Sequence, residues 1–309
     1  MSTKPQQPIA PPVRSQPNAR LLRQATYASV LVAVSLIALK TLAWLMSGSV
    51  SLLGSLIDSV MDAGASLINL FAVRYALTPA DRSHRFGHGK AEALAALAQS
   101  VFITASALLV LWQGVERLRS PAPLEAAWYG VAVMLISIIV TLLLLRFQSH
   151  VIRQTGSTAI RADSLHYRSD LLLNAAVIVA LLLAWYGISR TDALFGIGIA
   201  LYIGYGAQQI GRDAVRILMD HELPDEVRQE ALRLARAVPG VVDAHDLRTR
   251  QSGQQWFMQL HLELPGDLPL DEAHKLGDQA RDAIQQRFPQ AEVLVHKDPT
   301  GSVTSASLL

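Results

Sequence analysis

The chain has 309 residues, of which 51% are hydrophobic and only 17% charged, and its formal net charge is +2. A soluble globular protein carries about 25% charged residues, so the composition points into a lipid bilayer, and so small a net charge argues against nucleic acid as a partner. Cysteine is absent, which excludes disulfides, thiolate metal sites and cysteine nucleophiles.

The opening stretch, MSTKPQQPIAPPVRSQPNA, is rich in Pro and Gln and lacks an apolar core. Residues 1–20 are therefore expected to form a disordered tail and not a signal peptide. Six apolar segments follow, about Ala25–Met46, Val50–Tyr75, Ala91–Trp112, Ala126–Phe147, Ile160–Ile188 and Ala193–Ile210. Each approaches or exceeds the roughly 20 residues that a helix needs to cross the hydrocarbon. The fifth is the least obvious, because its first half holds Asp163, His166, Arg168 and Asp170. Twelve Lys and Arg flank the segment ends on the side of the N-terminus, against Arg117, Arg119 and Arg190 on the other. That bias puts both ends of the chain in the cytoplasm. Residues 21–218 thus read as a six-helix membrane domain.

From about residue 219 the composition turns soluble. LPDEVRQEALRLARAV is an amphipathic helix, VVDAHDLRTRQ and QWFMQLHLEL are two strands joined around Ser252-Gly253, PLDEAHKLGDQARDAIQQRF is a second helix, and AEVLVHKD is a third strand. The order αββαβ predicts a small α+β domain of the ferredoxin-like kind over residues 219–309, with a frayed end.

Two carboxylates in the second apolar segment, Asp58 and Asp62, stand four residues apart and share a helix face. Each costs roughly 2.5–3.5 kcal/mol at the centre of an inserted helix. His166 and Asp170 repeat the spacing in the fifth segment. At 1.5 Å per residue, Asp58 and Asp62 lie roughly 12 and 18 Å from the outer end of their helix, and His166 and Asp170 roughly 14 and 20 Å from the inner end of theirs. In a core about 30 Å thick these levels meet. Three carboxylates and one imidazole at the midplane make an N/O site for a divalent cation.

Two further groups contain metal-ligating residue types. Asp81, His84 and His88 lie in the loop DRSHRFGHGK, which reads either as a cation site or as a polar loop with incidental histidines. His245 and His261 fall on the two strands, His274 on the helix, and His296 with Asp298 on the last strand. These five either converge on metal or are separate surface residues. Lys40 sits near the outer end of the first segment, from where its amine can snorkel to the surface.

The six spans, DSVMD in the second, HRFGHGKAEALAAL entering the third, ADSLHYRSD in the fifth and the trailing αββαβ domain resemble the cation diffusion facilitator family, within it the bacterial zinc and ferrous-iron efflux pumps. The resemblance implies a transport site of Asp58, Asp62, His166 and Asp170, and a loop site of Asp81, His84 and His88. It also implies a cytoplasmic binuclear site of His245, His261, His274, His296 and Asp298, and a charge interlock between Lys90 and Asp220. It further implies an inner-membrane homodimer that exchanges Zn²⁺ or Fe²⁺ (and by ligand chemistry also Cd²⁺, Co²⁺ or Mn²⁺) for protons by alternating access, with Zn²⁺ held structurally in the cytoplasmic domain. Other readings are a passive metal channel and a metal-sensing membrane protein. An enzyme is disfavoured: Asp58 and Asp62 share one helix, unlike a protease dyad, and no His-Glu-x-x-His motif occurs.

Overall fold

A computed structural model describes residues 18–48, 50–119, 128–185 and 191–301. The Pro-rich segment expected to be disordered lies outside the described residues up to residue 17, and so does most of the C-terminal end. Six long helices come first: α1 (Ala19–Ser47), α2 (Val50–Ala76), α3 (Lys90–Arg119), α4 (Trp128–Thr155), α5 (Thr158–Trp185) and α6 (Thr191–Leu218). Several outrun the apolar segments that mark them. α3 continues from Trp112 to Arg119, and α4 from Phe147 to Thr155, because hydropathy registers the hydrocarbon crossing while the helix carries on into the polar boundary.

Among the described residues, five of these helices are long and apolar enough to cross a membrane. α5 has 28 residues, carries its charged groups in its first half and an apolar second half, and packs against α3, α4 and α6. Four of its polar residues, Asp163, Ser164, His166 and Ser169, are buried within the protein. The α4–α5 corner is tight. Gly156, at φ 63°, donates its N–H to the Ile152 carbonyl to close α4, and Ser157 Oγ accepts the Ile160 N–H to open α5.

α3 and α6 form the most extensive helix pair. Gly114, Gly204 and Gly211 lie along it, and a Cβ at Gly211 would stand 2.9 Å from Ser100 Oγ, so small residues set the close approach. The other four helices are joined by a buried polar network. Asp163 Oδ2 accepts from Ser29 Oγ (2.6 Å) on α1 and Gln148 Nε2 (2.7 Å) on α4. Tyr167 bonds the Ser29 carbonyl and Ser66 Oγ on α2, both at 3.0 Å.

The C-terminal domain follows as α7 (Asp225–Arg236), β1 (Asp243–Ser252), β2 (Gln255–Leu264), α8 (Leu270–Arg287) and β3 (Ala291–Pro299). This is the αββαβ order read from the sequence. β1 pairs antiparallel with β2, and β2 pairs parallel with β3. One sheet face buries Met258, Leu260, Leu262 and Leu264 against Ala231 and Ala235 of α7 and Ala280 and Ile284 of α8. Period-2 strands and amphipathic helices thus make a two-layer core.

Candidate metal centres

The transmembrane group forms where α2 meets α5. Ligand atoms of Asp62, His166 and Asp170 all lie within 4.8 Å of one another. His166 Nε2 is 2.9 Å from Asp62 Oδ1 and 3.9 Å from Asp170 Oδ2. The nitrogen is buried, yet it makes no aligned hydrogen bond. Phe102 and Tyr167 flank the imidazole, with ring centroids 6.2 and 5.8 Å away. Asp58 stands one turn from Asp62 on α2, exposed, and is not drawn into this group.

Lys40 departs from its expected position. Its amine does not snorkel; it crosses to α2 and donates to Ser59 Oγ (2.6 Å) and the Ser55 carbonyl (3.0 Å). Lys40 lies seven residues from the end of α1, roughly 10 Å of helix, and its amine meets these two oxygens of α2 beside Asp58.

In the loop between α2 and α3, Asp81 and His88 are brought together with His84. Asp81 Oδ1 accepts the backbone N–H groups of Ser83 (2.8 Å) and His84 (2.6 Å). The His84 N–H, helped by that of Ser83, holds the Asp81 carboxyl below the usual carboxylate range. His84 Nδ1 and His88 Nε2 each lie 3.4 Å from Asp81. His88 is buried, and its Nδ1 faces the Thr78 carbonyl at 3.3 Å. A proton on Nδ1 satisfies that carbonyl and leaves the Nε2 lone pair toward Asp81, as a metal ligand requires.

On the sheet, strand register does the gathering. His245 on β1 pairs with His261 on β2, and His261 pairs with His296 on β3, so the three imidazoles form a row across the strands. Adjacent ring centroids are 5.8 and 4.8 Å apart. Asp298 bonds His261 Nδ1 at 2.7 Å and lies 3.2 Å from His296 Nε2. His274 stands apart on α8, largely exposed, with Asp278 3.5 Å away. Asp243 and Glu263, opposed across β1 and β2, also come near His245, and Asp243 is engaged by Arg236 at 2.7 Å. Sequence reading passed over both; the alternation Asp243-x-His245 was the available signal.

Lys90 and Asp220 form an ion pair. Lys90 Nζ lies 2.9 Å from Asp220 Oδ1 and 3.2 Å from the Leu218 carbonyl. Asp220 holds φ 55°, a left-handed conformation that closes α6. A second cation not singled out from sequence, Arg250 of β1, lies 3.5 Å from the same Asp220 oxygen and over the rings of Phe86 and Phe257, which pack edge to face. Gly89 packs on the Ser252–Gly253 turn so closely that a Cβ there would strike its backbone.

A bundle of long apolar helices holding a carboxylate–imidazole group with a buried imidazole, joined to a small α+β domain bearing more such groups, defines a multi-pass membrane protein with the ligand chemistry of divalent metals. The chain belongs to the cation efflux family: residues 26–219 match its transmembrane domain and residues 223–300 the cytoplasmic domain of cation efflux proteins. It is 53% identical over 285 residues to the cation-efflux pump FieF of Yersinia enterocolitica, covering 92% of this chain and 95% of that one. It is 51% identical over 292 residues to the pump of the same name from Klebsiella pneumoniae, covering 94% and 97%. Among solved structures, CzrB in its zinc form is similar to 28% of this chain, spans 98% of its own length, is 32% identical and gives a TM-score of 0.26. The family is one of divalent metal efflux transporters.

Proposed function

We propose that the protein exports a divalent metal, Zn²⁺ or Fe²⁺ first among them, across the inner membrane in exchange for protons, as a homodimer with both termini in the cytoplasm. The observation that carries this is the Asp62–His166–Asp170 group, three ligands converging inside the helical domain. The metal is the cargo. Asp62 and Asp170 supply charge, His166 supplies a nitrogen that favours Zn²⁺ and Fe²⁺ over Mg²⁺, and Asp58, one turn along the same face, completes the set as the fourth ligand. Carboxylate and imidazole must be deprotonated to bind, so loading expels protons and protonation releases metal. Cycling between those states on opposite sides couples the two fluxes.

The loop group and the histidine row serve as separate Zn²⁺ sites, with His274 as a further ligand of the latter and the Lys90–Asp220 pair as a charge interlock. In proteoliposomes, wild-type protein is expected to move Zn²⁺ against an imposed pH gradient, while Asp62→Ala and His166→Ala, still folded and inserted, move none. Wild-type rates in either variant would overturn the site.

A further inference from the structure

α5 packs on α4 to one side and α6 to the other, while α4 and α6 make no comparable contact with each other. The space this leaves over α5 is a cavity of about 860 Å³. Its lining is strongly basic: Arg153 from α4, Arg161 and Arg168 from α5, and Arg212 and Arg216 from α6, with Asp213 the one acidic residue. Asp213 is taken by Arg161, 2.6 Å away. Among the described residues, the other four guanidinium groups have no carboxylate partner. Arg153, Arg168, Arg212 and Arg216 are exposed along the cleft, so their like charges repel one another and stand open to an anion that would sit among them.

Arg153 lies two residues from the end of α4, Arg161 three from the start of α5, and Arg216 and Arg212 two and six from the end of α6. At 1.5 Å per residue, all four are within about 10 Å of the same end of the bundle. Arg168 is roughly 15 Å in, on a side chain long enough to reach back. Deeper still the lining includes Tyr202 and Tyr205, both exposed. Basic groups at the helix ends with aromatic surface below match a molecule that has an anionic head at the membrane boundary and an apolar body beneath it.

We propose that this cleft binds the phosphate headgroup of an anionic phospholipid of the inner leaflet, clamping α6 to α4 across α5. Guanidinium groups pair with phosphate oxygens bidentately, and several converging forks select an anionic head over a zwitterionic one. The proposal rests on the reading that these helix ends face the cytoplasm. Because α5 also carries His166 and Asp170, a lipid seated here braces the helix that presents half of the metal site.

The test uses the full-length protein, metal-free, in detergent, with lipid binding counted by native mass spectrometry. Phosphatidylglycerol is titrated against phosphatidylcholine, and inorganic phosphate is added as a soluble competitor. The wild type is expected to retain phosphatidylglycerol selectively, and Arg212→Gln with Arg216→Gln to weaken it about 30-fold. Arg168→Gln alone serves if the double variant fails to fold, with a loss of about fivefold expected. Equal retention of both lipids would overturn the proposal, as would an unchanged affinity in the variants. Displacement by millimolar inorganic phosphate would assign the cleft to a soluble anion instead. A variant that loses its dimer but keeps the lipid would make the arginines a protein contact. No metal is present, so failure here leaves the transport reading standing, and loss of metal flux in Asp62→Ala leaves this one standing.

Discussion

At the transmembrane group, the decisive feature of a single side chain is whether its lone pairs face a common point. His166 Nε2 is buried with carboxylate oxygens of Asp62 and Asp170 at 2.9 and 3.9 Å, a grouping that suits a shared cation. Replacing it with Asp makes the site all-oxygen, so His166→Asp is expected to shift relative uptake from Zn²⁺ toward Mn²⁺. An unchanged ratio at fixed pH would remove the imidazole from the ligand set. Lys40 is the residue that sequence reading placed least well. Its distance from the helix end suggested escape to the surface, whereas Ser59 and the Ser55 carbonyl offered nearer partners on α2. A fixed positive charge beside Asp58 lowers the pull of the site on a cation. Lys40→Met is therefore expected to tighten Zn²⁺ binding about tenfold, in competition with a fluorescent chelator, and to slow release. Unaltered affinity would leave Lys40 a structural clasp. Asp163 lacked a sequence signal that set it apart from the ligands three and seven residues on. Its partners, Ser29 and Gln148, come from α1 and α4, and only the packed bundle shows them. Asp163→Leu strands both partners and is expected to cost about 1–3 kcal/mol, read as earlier loss of monodisperse protein on heating, with Asp163→Asn milder.

At the scale of elements, six helices and the αββαβ domain were legible because periodicity and apolar length are local properties of the chain. Helix ends were less so: α4 runs two turns past Phe147 because a helix need not stop where the hydrocarbon does. The histidine row was half legible. Strand identity followed from alternation, but the register that sets His245 beside His261 and His261 beside His296 is a property of paired strands. The Asp81 loop carries a pH consequence. Its carboxyl is held low by the His84 and Ser83 N–H groups, so that turn's stabilisation is present above the ordinary carboxylate value and lost only as pH falls through the depressed one. Acidification that strips Zn²⁺ from the loop should therefore leave those two amides protected from hydrogen exchange. Simultaneous loss of metal and protection would contradict that order. Gly89, pressed against Ser252, is the element contact least tolerant of change. Gly89→Ala is expected to separate loop from sheet and speed proteolysis between α6 and α7.

For the whole molecule, the central claim is that one buried group carries metal across the bilayer and gives it up to protons. Metal held only by the folded C-terminal domain would stabilise it by about 2.7 kcal/mol at a hundredfold excess over the dissociation constant, and lift its melting by roughly 10–20 °C. That would show a cytoplasmic site and nothing about transport. The direct measurement is Zn²⁺ flux together with internal pH in the same proteoliposomes, for wild type and for Asp62→Ala. The expected result is proton movement opposite to Zn²⁺ and in step with it, both abolished by the substitution. Zn²⁺ flux that proceeds unchanged with no proton movement would mean a passive channel, and flux that survives in Asp62→Ala would mean that the metal crosses somewhere else.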